Sequence, residues 1–228
     1  MSNIAAVILA AGVGSRMGLD TTKQQLLIGD LTVLRRTLLA FEACPDINSI
    51  VVVTRDEEIE FVKREALGIT KLYKITIGGK TRAESAYNGF RAIPNGAEYV
   101  AIHDAARCLI TPEAISRVAR DAEKYGAASA AARVTDTVKI VDADGFVSST
   151  PDRNRVLLAS TPQIFSTLLY NKATDGVDLS DGSITDDNML LERVGVRVFC
   201  TDVGRGNIKI TERADIEYAE FLLKGARE

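Results

Sequence analysis

Histidine occurs once in this 228-residue chain, at His103, and cysteine only three times. A single histidine excludes a metal centre built on several imidazoles. Cys44, Cys108 and Cys200 are odd in number and far apart, with no Cys-x-x-Cys pair. That spacing argues against a disulfide framework or a thiolate zinc site and for a reducing compartment. No apolar run approaches the roughly 20 residues a membrane helix needs. No basic region precedes the first apolar run, so it reads as a strand rather than a signal peptide. A positive excess is also missing: 28 Lys and Arg against 31 Asp and Glu leave a net charge of −3, which removes any bulk electrostatic case for nucleic acid. The chain shows no repeat, low-complexity tract or linker. The expectation is a cytoplasmic protein with neither a membrane nor a nucleic-acid partner.

What is present is an ordinary globular composition, 46% hydrophobic and 26% charged, in which strand-like and helix-like segments alternate. Ile4–Ala11 is an apolar run broken by glycine, the pattern of a buried strand. Leu31–Ala43 has leucines at 31, 34, 38 and 39 and reads as an amphipathic helix. Ser49–Thr54 and Leu72–Ile77 read as strands, with a helix over Asp56–Leu67 between them. Thr81–Ala92 is the next helix and Tyr99–His103 the next strand. Thr111 followed by Pro112 marks a helix start, and that helix runs to about Tyr125. Val196–Thr201 is a last strand and Thr211–Leu223 a C-terminal helix. The order predicts an α/β fold with a doubly wound, mostly parallel sheet. Thr137–Ser149 interrupts it as two short strands around Asp144-Gly145, a hairpin signal. Such a hairpin is too small to be a domain and reads as a projecting arm.

Candidate site residues gather where strands end. After the first strand, Gly12 and Gly14 allow close backbone approach to a ligand, and backbone N–H groups there can hold anionic oxygens. Arg16 and Lys23 add positive charge. The spacing Gly12, Gly14, Gly18 is one residue too long for a dinucleotide fingerprint, and no Lys-Ser/Thr pair makes a Walker A loop. Gly78-Gly79 ends another strand and is followed by Lys80, Arg82 and Ser85, the last two about one helical turn apart. His103-Asp104-Ala105-Ala106-Arg107 ends a third strand, where ligands of open α/β sheets bind. Asp104 there suits Mg²⁺, which one carboxylate and substrate phosphates commonly hold. Thr185-Asp186-Asp187 reads first as a helix cap. Lys209, in Asn207-Ile208-Lys209, is topologically near the first loop.

Together these motifs resemble the 2-C-methyl-D-erythritol 4-phosphate cytidylyltransferases of non-mevalonate isoprenoid biosynthesis, over nearly the full length. The resembling segments are Ala10-Ala11-Gly12-Val13-Gly14-Ser15-Arg16-Met17, Lys23-Gln24, Gly78-Gly79 with Arg82 and Ser85, and His103 to Arg107. Thr135 to Lys139, Pro151-Asp152-Arg153, Thr161-Pro162-Gln163, Thr185 to Asp187 and Asn207 to Thr211 continue the series. The resemblance implies a Rossmann-like nucleotidyltransferase domain over residues 1–228, with a dimerisation arm at about 135–155. It implies transfer of a cytidylyl group from CTP to a polyol phosphate with a divalent cation. By it, Arg16, Lys23 and Lys209 are catalytic, and Ala10, Ala11, Gly12 and Gly14 bind substrate. Gly79, Lys80 and Ser85 border the cytosine. Arg82, Ala105 and Arg107 join the substrate site, and Asp104 faces metal and polyol. Thr137 and Arg153 reach the substrate phosphate from the partner subunit of a homodimer.

Some positions depart from that pattern. Thr22 stands where proline is usual, Gln25 where an aromatic is, Cys108 where proline is, and Lys80 where an acidic residue is common. Gly204-Arg205-Gly206 is shorter than usual and lacks a carboxylate. Two other readings stay open: a ribitol 5-phosphate cytidylyltransferase, and a non-catalytic CTP-binding module. Ala10-Ala11 and Thr185-Asp186-Asp187 favour methylerythritol phosphate over the first. The presence of both Lys23 and Asp104 speaks against the second.

Overall fold

The structure, a computed structural model, describes residues 2–12 and 22–225. Its centre is a seven-stranded sheet built from β1 (Ile4–Leu9), β4 (Ser49–Thr54), β5 (Leu72–Ile77), β6 (Tyr99–Asp104), β7 (Ala127–Arg133), β10 (Leu157–Ser166) and β11 (Phe199–Asp202). The spatial order is β11-β7-β10-β6-β1-β4-β5. β10 runs antiparallel to both neighbours, and the other pairings are parallel. β1 is buried along its whole length, as a strand covered on both faces must be.

Successive side chains of a strand point to opposite faces, and β1 divides accordingly. Ile4, Ala6 and Ile8 pack with Leu34, Leu38 and Phe41 of α1 (Val33–Ala43), Val62 of α2 (Ile59–Glu65) and Ile115 and Val118 of α4 (Pro112–Tyr125). Val7 and Leu9 pack on the other face with Ala83 and Ala86 of α3 (Arg82–Phe90), Tyr170 of α5 (Thr167–Thr174) and Leu190 of α6 (Asn188–Arg193). The sheet is therefore doubly wound. α3 lies unusually close to it: a Cβ on Gly89 would sit 2.2 Å from Val7 Cγ1 and 2.7 Å from Val53 Cγ2. A third, smaller cluster joins Ile28 and Val33 to Cys108, Ile210 and Ala219, docking α7 (Ala214–Gly225) beside the short ribbon β2–β3 (Leu27–Ile28 and Leu31–Thr32).

Two strands of the central sheet, β7 and β10, have no counterpart in the sequence reading. β7 is Ala-Ala-Ser-Ala-Ala-Ala-Arg, and alanine has little intrinsic preference for strands. Its burial between β10 and β11 overrides that preference. β10 contains Pro162, a residue confined in sheets to edges and irregularities, and its pairing with β7 shifts register between Ala159 and Gln163. Several boundaries also move. Leu31-Thr32 pairs as a strand before α1. A 3₁₀ turn, Asp56–Glu58, precedes α2. The last strand starts at Phe199 rather than Val196 and the last helix at Ala214 rather than Thr211. The arm is present: β8 (Ile140–Val141) and β9 (Val147–Ser149) pair only with each other among the described residues.

Candidate active site

β1 and β6 lie side by side in register, with Leu9 opposite Asp104. Their carboxyl ends therefore open at one place, at the crossover where such sheets bind ligands. The end of β5 joins them, as the Gly78 N–H bonds Thr54 O at 2.9 Å. A cavity of about 400 Å³ opens there, and Ala11, Gly12, Lys23, Gly79, Arg82 and Ser85 are among its walls, with Asp104 and Lys209. A second cavity of about 230 Å³ adjoins it, walled by Arg107, Ser160, Thr161, Gln163, Thr185 and Asp186. Arg82, Asp104 and Lys209 border both and form the partition between them.

That partition is an ion cluster. Asp104 Oδ1 accepts from Arg82 Nε at 3.0 Å and Oδ2 from Lys209 Nζ at 2.6 Å. Arg82 Nη1 donates at 2.7 Å to Asp187 Oδ2, and the Tyr170 hydroxyl donates to Asp187 Oδ1, also at 2.7 Å. Burial alone would raise the Asp104 carboxyl, but the charges of Arg82 and Lys209 outweigh it and hold Asp104 well below the usual carboxylate range. Burial likewise opposes the charge on Arg82, and Asp187 and Asp104 more than offset it, so its pKa is raised. Asp104 is thus ionised throughout the physiological range.

Each member is held from below. The Asp104 N–H donates to Thr161 Oγ1 at 3.0 Å, and Thr161 Oγ1 also meets His103 Nδ1 at 3.1 Å. The register shift in β10 brings Thr161 to that point. Lys209 is set by its neighbours: Ile210 N donates to Ala106 O, and Asn207 Nδ2 to Thr161 O, both at 2.8 Å. Arg107 Nη1 donates to Asn207 O at 2.9 Å. The glycine loop admits no side chain, for a Cβ on Gly79 would lie 2.2 Å from Glu84 Cβ and one on Gly78 2.8 Å from Ala11 Cβ. Gly79 N donates to Ser85 Oγ at 3.0 Å, and Thr81 and Glu84 close a capping box that starts α3. A shallower hollow of about 500 Å³ lies across this loop, against Tyr87, Val177 and Leu179. Lys80 is its one described cation, so it lacks the charge cluster of the other two.

Among the sequence-predicted residues, the structure brings Ala11, Gly12, Lys23, Gly79, Lys80, Arg82, Ser85, Asp104 and Lys209 to the first cavity and Arg107 to the second. Ala10 and Ala105 are buried behind the walls; Ala105 N bonds Leu9 O at 3.0 Å. Gly14 and Arg16 lie outside the described residues. Thr137 and Arg153 are exposed and border neither cavity; Arg153 Nη1 instead reaches Thr135 O at 3.1 Å. No ion pair joins Asp104 to Arg107, three residues on. Asp104 takes Arg82 and Lys209.

The reading of Thr185-Asp186-Asp187 as a cap holds for Asp186, whose Oδ1 accepts from Met189 N at 3.2 Å. Asp187 makes no capping bond with its side chain; it is 1% exposed and serves Arg82 and Tyr170. Sequence could not separate the two, because an acidic residue at a helix start looks the same in either role. Tyr170 and Arg55 also went unmarked, and Gln24 was named only as part of the Lys23-Gln24 segment, with no role. Gln24 and Arg55 line the first cavity; Arg55, a cation just past the end of β4, carried the same strand-end signal as Asp104.

The sequence model of the 2-C-methyl-D-erythritol 4-phosphate cytidylyltransferase family matches residues 4–225. A protein of that name from Nostoc is 38% identical over 220 residues, 95% of this chain and 96% of its own. One from Microcystis aeruginosa is 40% identical over 219 residues, 95% of this chain and 97% of its own. The crystal structure of 4-diphosphocytidyl-2C-methyl-D-erythritol synthase from Anaerococcus prevotii superposes with a TM-score of 0.87 at 30% identity, covering 98% of this chain and 96% of that one.

Proposed function

The chain belongs to the 2-C-methyl-D-erythritol 4-phosphate cytidylyltransferase family, and from that premise we propose that it transfers the cytidylyl group of CTP to the phosphate of 2-C-methyl-D-erythritol 4-phosphate, releasing pyrophosphate. The observation that carries the reading is the pair of cavities parted by Arg82, Asp104 and Lys209. The first offers Lys23, Gly79 and Ser85 to a nucleotide. Arg82, which borders both cavities, and Arg107, which borders the second, each keep a buried guanidinium nitrogen, Nη2 and Nε, with no hydrogen-bond partner among the described residues. Unpaired buried donors are costly, and the positive charge that these two arginines place around the second cavity suits the phosphate of a polyol phosphate.

In this reading Lys23 and Arg16 hold the triphosphate, and Gly79, Lys80 and Ser85 border the cytosine. Asp104 accepts from the polyol hydroxyls. The acceptor phosphate has a second pKa near 6, so its oxygen attacks the α-phosphorus already ionised and no general base is needed. Pyrophosphate leaves, and no covalent enzyme intermediate forms. The chain's contribution is positioning and charge: Lys23 and Lys209 neutralise the reacting phosphates where charge builds.

Among the described residues that line the first cavity, Asp104 is the one carboxylate that would hold Mg²⁺. Each Asp104 oxygen receives one protein donor and keeps further lone-pair capacity, and one carboxylate with substrate phosphates is a common Mg²⁺ environment. Bound there, the ion would neutralise triphosphate charge.

We also infer a cytoplasmic, two-fold homodimer in which Thr137 and Arg153 act on the neighbour's substrate. The arm's exposed Ile140, Val141, Phe146 and Val147 support a covered position, and a two-fold arm exchange is reciprocal.

Pyrophosphate release from CTP tests the activity. It should require 2-C-methyl-D-erythritol 4-phosphate, and Lys23→Ala should lower kcat by about 10²-fold or more. Preference for ribitol 5-phosphate, or no release with either polyol, overturns the reading. Mixed and reassociated Lys23→Ala and Arg153→Ala chains should regain roughly a quarter of wild-type activity if the arm acts in trans; subunit exchange without recovery refutes it.

A further inference from the structure

Lys23 opens a 3₁₀ turn, Lys23–Gln25, and the residue before it carries a tether that the turn does not need. Thr22 O accepts from Gln25 N at 3.0 Å, but the Thr22 hydroxyl makes no capping bond, the usual use of a threonine at such a position. It donates instead to Glu58 Oε1, far along the chain. Glu58 is 3% exposed, at the end of the turn that follows β4. Its other oxygen accepts from Arg55 Nε at 3.3 Å, and Arg55 borders the same cavity as Lys23. One buried carboxylate therefore grips both flanks of the nucleotide cavity.

The backbone at Thr22 shows what the grip does. Its φ is −78° and ψ 157°, inside the window of about −65 ± 15° that a proline ring would impose on φ. Threonine has no ring to impose it, and an extended threonine samples a far wider φ range. The hydroxyl bond to Glu58 supplies that restraint immediately before Lys23. We propose that Glu58 is a positioning residue for Lys23, acting through the Thr22 hydroxyl while it also sets Arg55 at the cavity wall. The proposal rests on the cytidylyl-transfer reading for its consequence in turnover, but the restraint itself is a property of the free protein.

The experiment compares Thr22→Val, Thr22→Ser and Thr22→Pro, with Glu58→Gln made both in the wild type and in the Thr22→Pro chain. Turnover is measured as CTP-dependent pyrophosphate release, and restraint as backbone hydrogen exchange over residues 22–28 without substrate, corrected for sequence. Thr22→Val should speed exchange there and lower kcat by about 10- to 100-fold, the scale on which a misplacement of about 1 Å acts, with KM for CTP changed less than about twofold. Thr22→Ser keeps the hydroxyl and Thr22→Pro fixes φ without it, so both should keep turnover near wild type. In the proline background Glu58→Gln should lower kcat far less than it does in the wild type, because only its contact with Arg55 remains to be weakened; an equal loss in both backgrounds overturns the route through Thr22. Wild-type exchange in Thr22→Val overturns the tether, and this readout stands even if the wild-type protein releases no pyrophosphate. Faster exchange with unchanged kcat overturns the positioning role, as does a Thr22→Val loss that neither serine nor proline restores.

Discussion

His103 is the chain's only histidine, and its burial makes a measurable acid liability. The ring is fully buried in β6, against Phe41 at 4.9 Å between ring centres. Its Nε2 lies 3.3 Å from Arg107 O and its Nδ1 3.1 Å from Thr161 Oγ1. A carbonyl only accepts, so Nε2 carries the proton, and Nδ1 accepts from the Thr161 hydroxyl. Protonating Nδ1 would force the Thr161 hydroxyl to turn its own proton away and lose that acceptor beneath Asp104. Burial pushes the imidazole down from 6.5 to about 3; the Asp104 charge opposes this and the Arg107 and Arg82 charges reinforce it. Below pH 6.5 the unfolded chain binds a proton that the folded chain refuses, so stability falls with pH across the window from 6.5 to about 3. By pH 5 the unfolded form gains about 1.5 pH units of protonation. At 1.36 kcal/mol per unit this is a loss of about 2 kcal/mol. Carboxylates contribute mostly below about pH 5, which isolates the effect. Urea unfolding at pH 7 and pH 5 should show it in wild type and not in His103→Gln. Since a buried variant can fail to fold, the imidazole of the native protein should also be titrated by NMR. One that titrates near 6.5 while folded, or equal stability at the two pH values, would refute the argument.

Two further outcomes follow from the packing. Asp187→Ala leaves Arg82 with one carboxylate fewer and strands the Tyr170 hydroxyl; breaking a buried pair costs about 3–5 kcal/mol, or roughly 6–20 °C of Tm for a chain of this size. Tyr170→Phe, which spares the ion pair, should cost less, and a calorimetric shift for Asp187→Ala under about 2 °C would show that the pair is not built as described. Gly89→Ala would gain about 1 kcal/mol in an open helix, but here its Cβ meets Val7 and Val53, so the net should be destabilising by about 1–3 kcal/mol; a stabilised variant in denaturant titration would disprove the close approach of α3 to the sheet.

The parts of the fold legible in the sequence are those whose local preference agrees with their place. Ser-Ile-Val-Val-Val-Thr is β-branched and is a central strand; Thr111-Pro112 starts α4 with Thr111 accepting from Ala114 N. β7 and β10 were not legible because their local and tertiary preferences disagree. Small alanines in β7 look helical, yet all but the last two residues of that strand are buried. Pro162 argues against a strand, yet it sits at the irregularity that brings Thr161 beneath Asp104. The antiparallel direction of β10 has no local signature at all, since it depends on where the chain returns after the arm.

The site divides along the same line. Strand ends announce themselves, because an apolar run that stops at glycine or aspartate has a visible boundary, and so Gly12, Gly79 and Asp104 were found. What a side chain does once there depends on partners from other segments. Asp104 was expected to face a metal and the polyol, but nothing local named its protein partners: the loop aims Arg107 at Asn207 and leaves Asp104 to Arg82 and Lys209, each from a different part of the chain. Asp187 repeats the lesson. Its bond to Arg82 spans 105 positions, and only the closure of α5 and α6 over the second face of the sheet brings it there. That charge balance, drawn from distant segments, explains how a half-buried arginine and a buried aspartate persist without substrate. Two carboxylates surround one guanidinium, Lys209 offsets the second negative charge, and Arg82 Nη2 remains with no partner among the described residues. The cluster is thus balanced in charge before any substrate arrives, with one buried donor left unsatisfied.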